Sequence, residues 1–198
     1  MNKLLYGVGF NDKTKPTWVD GKIVKEYALW QSMLKRCFSE KYQTHKPTYK
    51  GCNVSDNFLH YSFFYDWCQE QTGFGKVDDK GRCWQLDKDL LFIGNKTYSE
   101  TTCVFVPQEI NLFFNECGNA RGEYPVGVCF HKQRGKFKAH CNVNSKQQYL
   151  GYFNTPEEAF AVYKPFKENL CKQLALKWKD EIDERLFNTM MNWQIHQI

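Results

Sequence analysis

Basic and amide side chains alternate with apolar ones between positions 136 and 143, a spacing suited to nucleic-acid recognition. If this run is a strand, one face carries the apolar residues Phe137, Ala139, Cys141 and Val143. The other face then carries the polar residues Lys136, Lys138, His140 and Asn142. Ammonium, imidazole and amide groups bind phosphates and hydrogen-bond to base edges, and a small sheet that presents them fits a DNA groove.

Two similar runs flank this one and predict a three-stranded sheet. The first run places Val126, Val128 and Phe130 on a single face, which is the period-2 pattern of a strand. The third run is Tyr149–Phe153, and the turn at Asn144–Ser145 separates it from the middle run. The core-facing side of this sheet needs a helix to cover it.

The sequence after the third run predicts that helix. Thr155 is a good N-cap, Pro156 suits the first turn, and Glu157–Glu158 place acidic charge at the positive end of the helix dipole. The apolar stripe expected to pack on the sheet is Ala159, Val162, Tyr163, Phe166 and Leu170. Pro165 predicts a bend near Lys164, with a second helical piece beyond it, because proline removes a helix hydrogen bond.

This segment resembles the DNA-binding domain of plant ethylene-response factors, which also occurs beside nuclease domains in phage homing endonucleases. Four short motifs carry the resemblance, in the same order around a sheet-then-helix pattern. They are Gly127–Val128, Gly135–Ala139, Leu150–Phe153 and Thr155–Ala159. The resemblance implies that the sheet lies in the major groove of DNA.

The resemblance also implies a set of DNA-contacting positions. They are His131, Arg134, Lys138, His140, Asn142, Gln147 and Tyr149. Cys129 and His140 depart from the family, which commonly has arginine or an acidic residue there, so the family's preferred DNA sequence does not carry over. The alternative interpretation is a small α+β domain whose basic face is simply solvated.

A second segment, from Trp84 to Phe114, predicts the order strand, turn, strand and helix. It begins with Leu86–Asp89, turns at Gly94–Lys96, continues as a strand over Thr101–Val106 and enters a short helix at Pro107. This order resembles the HNH, or ββα-metal, nuclease motif. Together with an upstream helix containing Tyr27, Trp30, Met33, Leu34, Arg36 and Cys37, it looks like a family of phage-encoded HNH-like proteins.

The HNH resemblance implies a metal site. By position, Asp87 would be the first metal ligand and Asn111 the second, and the two would lie within reach of one ion. Hard oxygen ligands of this kind suit Mg²⁺ or Mn²⁺. The resemblance therefore implies metal-dependent nicking or cleavage of a phosphodiester.

The two remaining catalytic positions depart from the HNH pattern. Lys88 stands where the family has the histidine base, and Thr102 stands where an asparagine steadies that base through the backbone. A free lysine has a pKa near 10.4, so acting as a base near pH 7 needs a depression of about 3 units. A charged Lys88 that holds a phosphate is easier to achieve. The alternative is that Asp87, Lys88 and Asp89 are ordinary surface charges on a relic scaffold.

Charge and cysteine usage agree with a DNA-binding protein in a reducing compartment. The chain carries a net charge of +5. Residues 119–178 alone carry +6 and the rest of the chain sums to −1, so the basicity is concentrated in the predicted sheet and helix. Nine cysteines without a Cys-x-x-Cys pair predict free thiols in the cytoplasm. No apolar run reaches the ~18 residues needed to cross a bilayer.

The sequence as a whole predicts an α+β protein of two parts. Residues 1–116 form an HNH-like module, and residues 119–198 form a three-stranded antiparallel sheet packed on a helix, with a C-terminal helix. The favoured function is a cytoplasmic, phage-encoded, HNH-endonuclease-like protein that binds double-stranded DNA. Two alternatives stay open: a catalytically silent DNA-binding regulator, and an interaction protein directed against a host defence protein.

Overall fold

The computed structural model describes residues 4–115, 123–143 and 146–195, and it has the mixed α+β composition predicted from the sequence. It divides into two compact units. The first comprises residues 1–108 with 181–186, and the second comprises residues 109–180 with 187–198. The predicted domains, 1–116 and 119–198, put this boundary about ten residues later and placed residues 181–186 in the second domain. The predicted turn at Asn144–Ser145 lies outside the described residues.

The first unit combines short helices with two-stranded sheets. Its elements, in chain order, are β1 (Trp18–Val19), β2 (Lys22–Ile23), α1 (Lys25–Phe38), α2 (Glu40–His45), a 3-10 turn (Pro47–Tyr49), β3 (Asn53–Val54), α3 (Asp56–Leu59), α4 (Tyr61–Glu70), β4 (Gln85–Asp87), β5 (Thr97–Tyr98) and β6 (Val104–Val106). Strands β1 and β2 form an antiparallel hairpin, β4 pairs with β6 antiparallel, and β3 pairs with β5 parallel.

Aromatic side chains fill the core of the first unit. The indole Nε1 of Trp30 in α1 donates to the backbone oxygen of Phe58 at 2.7 Å, which satisfies a polar group that burial would otherwise isolate. Phe64 and Trp67 of α4 are buried beside them, and the Trp67 ring packs against Phe105 of β6. These rings hold α1, α4 and the β4–β6 pair around one core.

The second unit contains a three-stranded sheet and a long helix. Its elements are α5 (Gln108–Asn115), which starts at the unit boundary, β7 (Val128–His131), a 3-10 turn (Lys132–Arg134), β8 (Lys136–Val143), β9 (Lys146–Phe153), α6 (Pro156–Lys177) and the end of α7 (Glu184–Met191). The strand order is β7-β8-β9, and both pairings are antiparallel. Helix α6 packs on one side of this sheet, which buries Ala139 and Cys141 of β8.

The start of α6 follows the sequence prediction, whereas the separate helical piece predicted beyond Pro165 is not present. The Thr155 hydroxyl accepts the backbone N–H of Glu158 at 3.1 Å, and the Glu158 carboxylate accepts the backbone N–H of Asn154 at 3.0 Å. The helix then continues through Pro165 to Lys177 as one element. Pro165 has no backbone N–H, so the carbonyl of Ala161, four residues earlier, lacks its usual helix donor. Ala161 and Pro165 are both exposed to solvent.

The buried face of α6 is rotated relative to the predicted stripe. Ala159 and Tyr163 are buried as predicted, but Val162 is 38% exposed and Phe160 is buried in its place. Gly127 and Tyr163 fit closely together, because an added Cβ at position 127 would lie 2.2 Å from the ring of Tyr163. The Tyr163 ring therefore fills the space that a side chain at position 127 would need.

Within the described ranges, no helix is both long enough and apolar enough to cross a membrane.

Candidate nucleic-acid interface

The strand register places the polar side chains of the β7–β9 sheet on one face. Residues opposite each other in neighbouring strands point to the same side of a sheet. In β8, Lys138 lies between Cys129 of β7 and Tyr152 of β9, while His140 lies opposite Tyr149. We call this side of the sheet the outer face. Its strand residues are Cys129, His131, Lys136, Lys138, His140, Asn142, Gln147, Tyr149 and Tyr152.

A bulge in β9 brings two tyrosines to the outer face. Ala139 pairs with Gly151, but the next residue, His140, pairs with Tyr149, so Leu150 is an extra residue in β9. Strict alternation would put residues 149 and 152 on opposite faces, whereas the extra residue puts both on the outer face. Gly151 has φ +144°, a conformation that side chains rarely adopt, and it permits this irregularity.

An aromatic and cationic cluster occupies one end of the outer face. The ring centroid of Tyr152 lies 5.1 Å from that of His131 and 5.2 Å from that of Tyr149. The guanidinium of Arg134, which comes from the 3-10 turn between β7 and β8, lies 4.7 Å from the Tyr152 ring centroid. Tyr149 is 53% exposed, so this cluster presents an aromatic surface to solvent.

The sheet carries no acidic residue. Between Glu123 and Glu157 the sequence has five lysines and arginines and neither aspartate nor glutamate. The basic residues are Lys132, Arg134, Lys136, Lys138 and Lys146. No carboxylate within this segment therefore neutralises the outer face, and its charge is available to a partner.

Contacts among outer-face residues orient two of the predicted DNA-contacting groups. The ammonium of Lys138 donates to the amide oxygen of Gln147 at 3.0 Å, across β8 and β9. The Sγ of Cys129 lies 4.0 Å from Nδ1 of His140. Partial burial and the nearby charge of Lys138 lower the pKa of His140 below its ordinary value. His140 is therefore a mainly neutral hydrogen-bonding group at neutral pH.

The seven positions predicted to contact DNA fall together in this region. His131, Lys138, His140, Asn142, Gln147 and Tyr149 belong to the outer face, and Arg134 contacts it through Tyr152. Their contact with DNA remains a prediction. Tyr152 was missed, because its place on the outer face depends on the bulge and period-2 alternation cannot foresee one.

In the first unit, Asp87 closes a turn at the end of β4. Its Oδ1 accepts the backbone N–H groups of Asp89 and Leu90, each at 2.9 Å. Burial, followed by the nearby charge of Asp89, raises the pKa of Asp87 to about 6. A carboxylate that caps a turn in this way has a local structural role whether or not it binds a ligand.

Lys88 is a buried cation that is already paired. It is 7% exposed, and its Nζ lies 3.0 Å from Oδ2 of Asp89 and 5.6 Å from the ring centroid of Tyr98. Burial, the largest single influence, lowers the pKa of Lys88, but the charge of Asp89, its hydrogen bond and the charge of Asp87 together raise the pKa above its ordinary value. A raised pKa agrees with the charged interpretation of Lys88 and opposes the base interpretation.

Asn95 makes the backbone contact that the sequence assigned to position 102. Its Nδ2 donates to the carbonyl of Lys88 at 2.6 Å and to the carbonyl of Thr97 at 2.7 Å. Thr102 instead donates its hydroxyl to the carbonyl of Thr97 at 2.8 Å and lies 2.9 Å from the hydroxyl of Ser99. Asn95 falls in the predicted Gly94–Lys96 turn, where asparagine is common for local reasons. The sequence therefore did not indicate its bonds to the two carbonyls.

The two predicted metal ligands belong to different units, so their approach to one ion remains a prediction. In the second unit, the amide oxygen of Asn111 accepts Nδ2 of Asn115 at 2.7 Å. The described parts of the chain contain no group of three His, Cys, Asp or Glu side chains that could hold a metal. Beside Asp87, the ammonium of Lys88 already neutralises Asp89. A divalent cation held by both Asp87 and Asp89 would therefore have to displace Lys88 from Asp89.

Comparisons with known proteins found no relative of this chain. No protein-family model, no curated protein and no solved structure matches it.

Proposed function

We propose that the protein binds double-stranded DNA through the outer face of the β7–β9 sheet. One observation carries the proposal: this face combines lysines, amides and exposed rings, and no acidic residue occurs between Glu123 and Glu157. DNA is a dense array of negative charge, and an uncompensated basic surface attracts it at any sequence. The absence of carboxylates removes the repulsion that an ordinary solvated face would present.

The shape of the sheet also suits the major groove. The groove is about 12 Å wide and admits a small β-sheet or a two-stranded ribbon. The long strands β8 and β9, with eight residues each, provide such a ribbon, and their paired polar residues would point to the floor of the groove. Lys136 and Arg134 lie near the 3-10 turn, at the end where phosphates of a groove wall would be met.

Two amides on opposite strands are the best candidates for reading bases. Asn142 and Gln147 lie directly opposite each other and are both exposed. An amide side chain can donate to N7 and accept from N6 of adenine, so paired amides favour adenine-containing sites. The bond from Lys138 to the Gln147 oxygen fixes the orientation of that amide before DNA arrives.

Fluorescence anisotropy with a labelled duplex tests the proposal. The wild-type protein should bind at low salt, and Arg134→Ala or Lys138→Ala should weaken binding and lower the slope of log K against log salt by about one. Lys172→Ala is the matched control, because Lys172 is an exposed lysine on α6, away from the sheet strands. An equal loss in the control would mean that general charge, and not the outer face, drives binding.

Metal-dependent cleavage of DNA is the second candidate function, as part of a phage-encoded, HNH-like protein of the host cytoplasm. The bond from Asn95 to the Lys88 carbonyl favours it, because it fixes the backbone beside Asp87 as the nuclease motif requires. A bound divalent cation would supply charge stabilisation at the phosphate, with Asp87 and Asn111 as its proposed protein ligands. Nicking of supercoiled plasmid in Mg²⁺ or Mn²⁺ tests this function, and EDTA provides the control.

A negative result in either assay selects one of the alternatives. Duplex binding without nicking indicates a DNA-binding regulator. Absence of duplex binding at low salt removes the groove-reading proposal and leaves an interaction protein directed at a host defence protein as the leading alternative.

A further inference from the structure

Arg36 of α1 is a partly buried cation with no carboxylate partner among the described residues. Its Nε is buried and has no hydrogen-bond partner, and its Nη1 donates to the hydroxyl of Tyr98 at 3.4 Å, near the limit for a hydrogen bond. Removing a guanidinium from water without an anion is costly. This site is therefore short of negative charge.

A second cation, Lys88, lies near Arg36, and among the described residues no carboxylate forms an ion pair with the Arg36 guanidinium. The guanidinium lies 5.5 Å from the ring centroid of Tyr49, and the ammonium of Lys88 lies 5.6 Å from the ring centroid of Tyr98. Arg36 and Lys88 thus contact the same tyrosine, one at its hydroxyl and one at its ring. Asp89 forms an ion pair with Lys88, and the nearby Asp87 carboxylate also acts on Lys88, whereas no described carboxylate pairs with Arg36. The charge of Arg36 is therefore the one that lacks a partner.

We propose that Arg36 and Lys88 form a binding site for a phosphate group, with the hydroxyl of Tyr98 as a third donor. An arginine fork matches the spacing of two phosphate oxygens, and lysine adds a point charge. Phosphate fits better than a planar carboxylate, because its tetrahedral oxygens can meet an arginine fork and a separate ammonium from different directions. The site lies wholly in the first unit and does not depend on DNA binding by the outer face.

A phosphate at this site would compete with Asp89 for the ammonium of Lys88. The side chain of Asp89 is 46% exposed, whereas that of Lys88 is 9% exposed, so Asp89 can turn toward solvent and leave the buried ammonium in place. A bound phosphate would then replace Asp89 as the partner of Lys88. Removing the Asp89 charge should therefore strengthen phosphate binding, which is the reverse of the effect expected if Asp89 merely stabilises the fold.

Isothermal titration of the full chain with inorganic phosphate, at constant ionic strength, tests the proposal. The wild type should bind, Arg36→Met should weaken binding about tenfold or more, and Arg36→Lys should weaken it less. Asp89→Asn should strengthen binding severalfold. Lys35→Met is the matched control, because Lys35 is the preceding residue on α1, is exposed and lies over the ring of Tyr42.

Two outcomes overturn the proposal: no phosphate binding by the wild type, or equal weakening by Arg36→Met and Lys35→Met. If Arg36→Met fails to fold, the Arg36→Lys and Asp89→Asn variants decide, and unchanged affinity in both rejects the site. A parallel titration with dimethyl phosphate identifies the source of the phosphate. Arg36-dependent binding of this diester indicates a nucleic-acid backbone, whereas Arg36-dependent binding of inorganic phosphate alone indicates a free phosphate or monoester.

Discussion

The outer face of the β7–β9 sheet and the Asp87 region use polar residues in opposite ways. On the outer face, lysines and amides have no acidic neighbours in sequence, and their register turns them toward solvent. Around Asp87, the carboxylate caps a turn, Lys88 pairs with Asp89, and Asn95 binds two carbonyls. The difference shows that polar residue types alone do not identify a site. A site is identified by polar groups that are not already bound within the protein and can still bind a partner.

The packing that supports the outer face should be the most sensitive feature. Gly127→Ala should cost about 3 kcal/mol or more of unfolding free energy, because φ is +78° and the new Cβ would meet the Tyr163 ring at 2.2 Å. Gly135→Ala is the control, since φ is +59° and nothing lies within 4 Å of the added Cβ, so strain alone should cost about 1 kcal/mol. Urea denaturation measures both losses, and equal losses would contradict the packing account.

Sequence preference should depend on the opposed amides of the outer face. Asn142→Ala or Gln147→Ala should reduce discrimination between a duplex selected from random sequences and a scrambled one by about 1–3 kcal/mol. Gln148→Ala is the matched control, because Gln148 lies opposite Cys141 and belongs to the other side of the sheet. Competition binding measures the discrimination. An equal loss of discrimination in Gln148→Ala would contradict the assignment of Gln148 and the two amides to opposite sides of the sheet.

The Asp87 region should gain cleavage activity if Lys88 becomes a group that titrates near neutral pH. Lys88→His should raise plasmid nicking in Mg²⁺ about tenfold, because an imidazole can accept the proton of water without a large pKa shift. Adding Thr102→Asn should give no further gain, since Asn95 already holds the Lys88 carbonyl. If Lys88→His abolishes a robust wild-type activity, lysine itself is functional and the region does not resemble a degenerate site.

The smallest expected effect is a pH dependence of DNA binding through His140. Its pKa is lowered in the free protein, and nearby phosphates would raise it in the complex, so binding takes up a proton. Affinity should therefore rise severalfold as pH falls through the ordinary histidine range near 6.5. His140→Gln should flatten this dependence in anisotropy titrations at several pH values. An unchanged slope in the variant would place His140 away from the bound DNA.

Local rules predicted the parts of the fold that depend on neighbouring residues. The cap at Thr155 and the alternation in β8 follow from short sequence patterns, and the structure contains both. The bulge at Leu150, the fit of Gly127 against Tyr163, and the bonds made by Asn95 depend on residues that meet only after folding. Those features decide which side chains share the outer face and which are used internally.

The most direct test of DNA binding by the outer face is an NMR titration of ¹⁵N-labelled protein with a short DNA duplex. The account predicts that the largest amide shifts occur in β7, β8 and β9, around Lys138, His140 and Tyr149, and that they diminish as salt increases. Duplex DNA added at low salt without amide shifts in these three strands would contradict it.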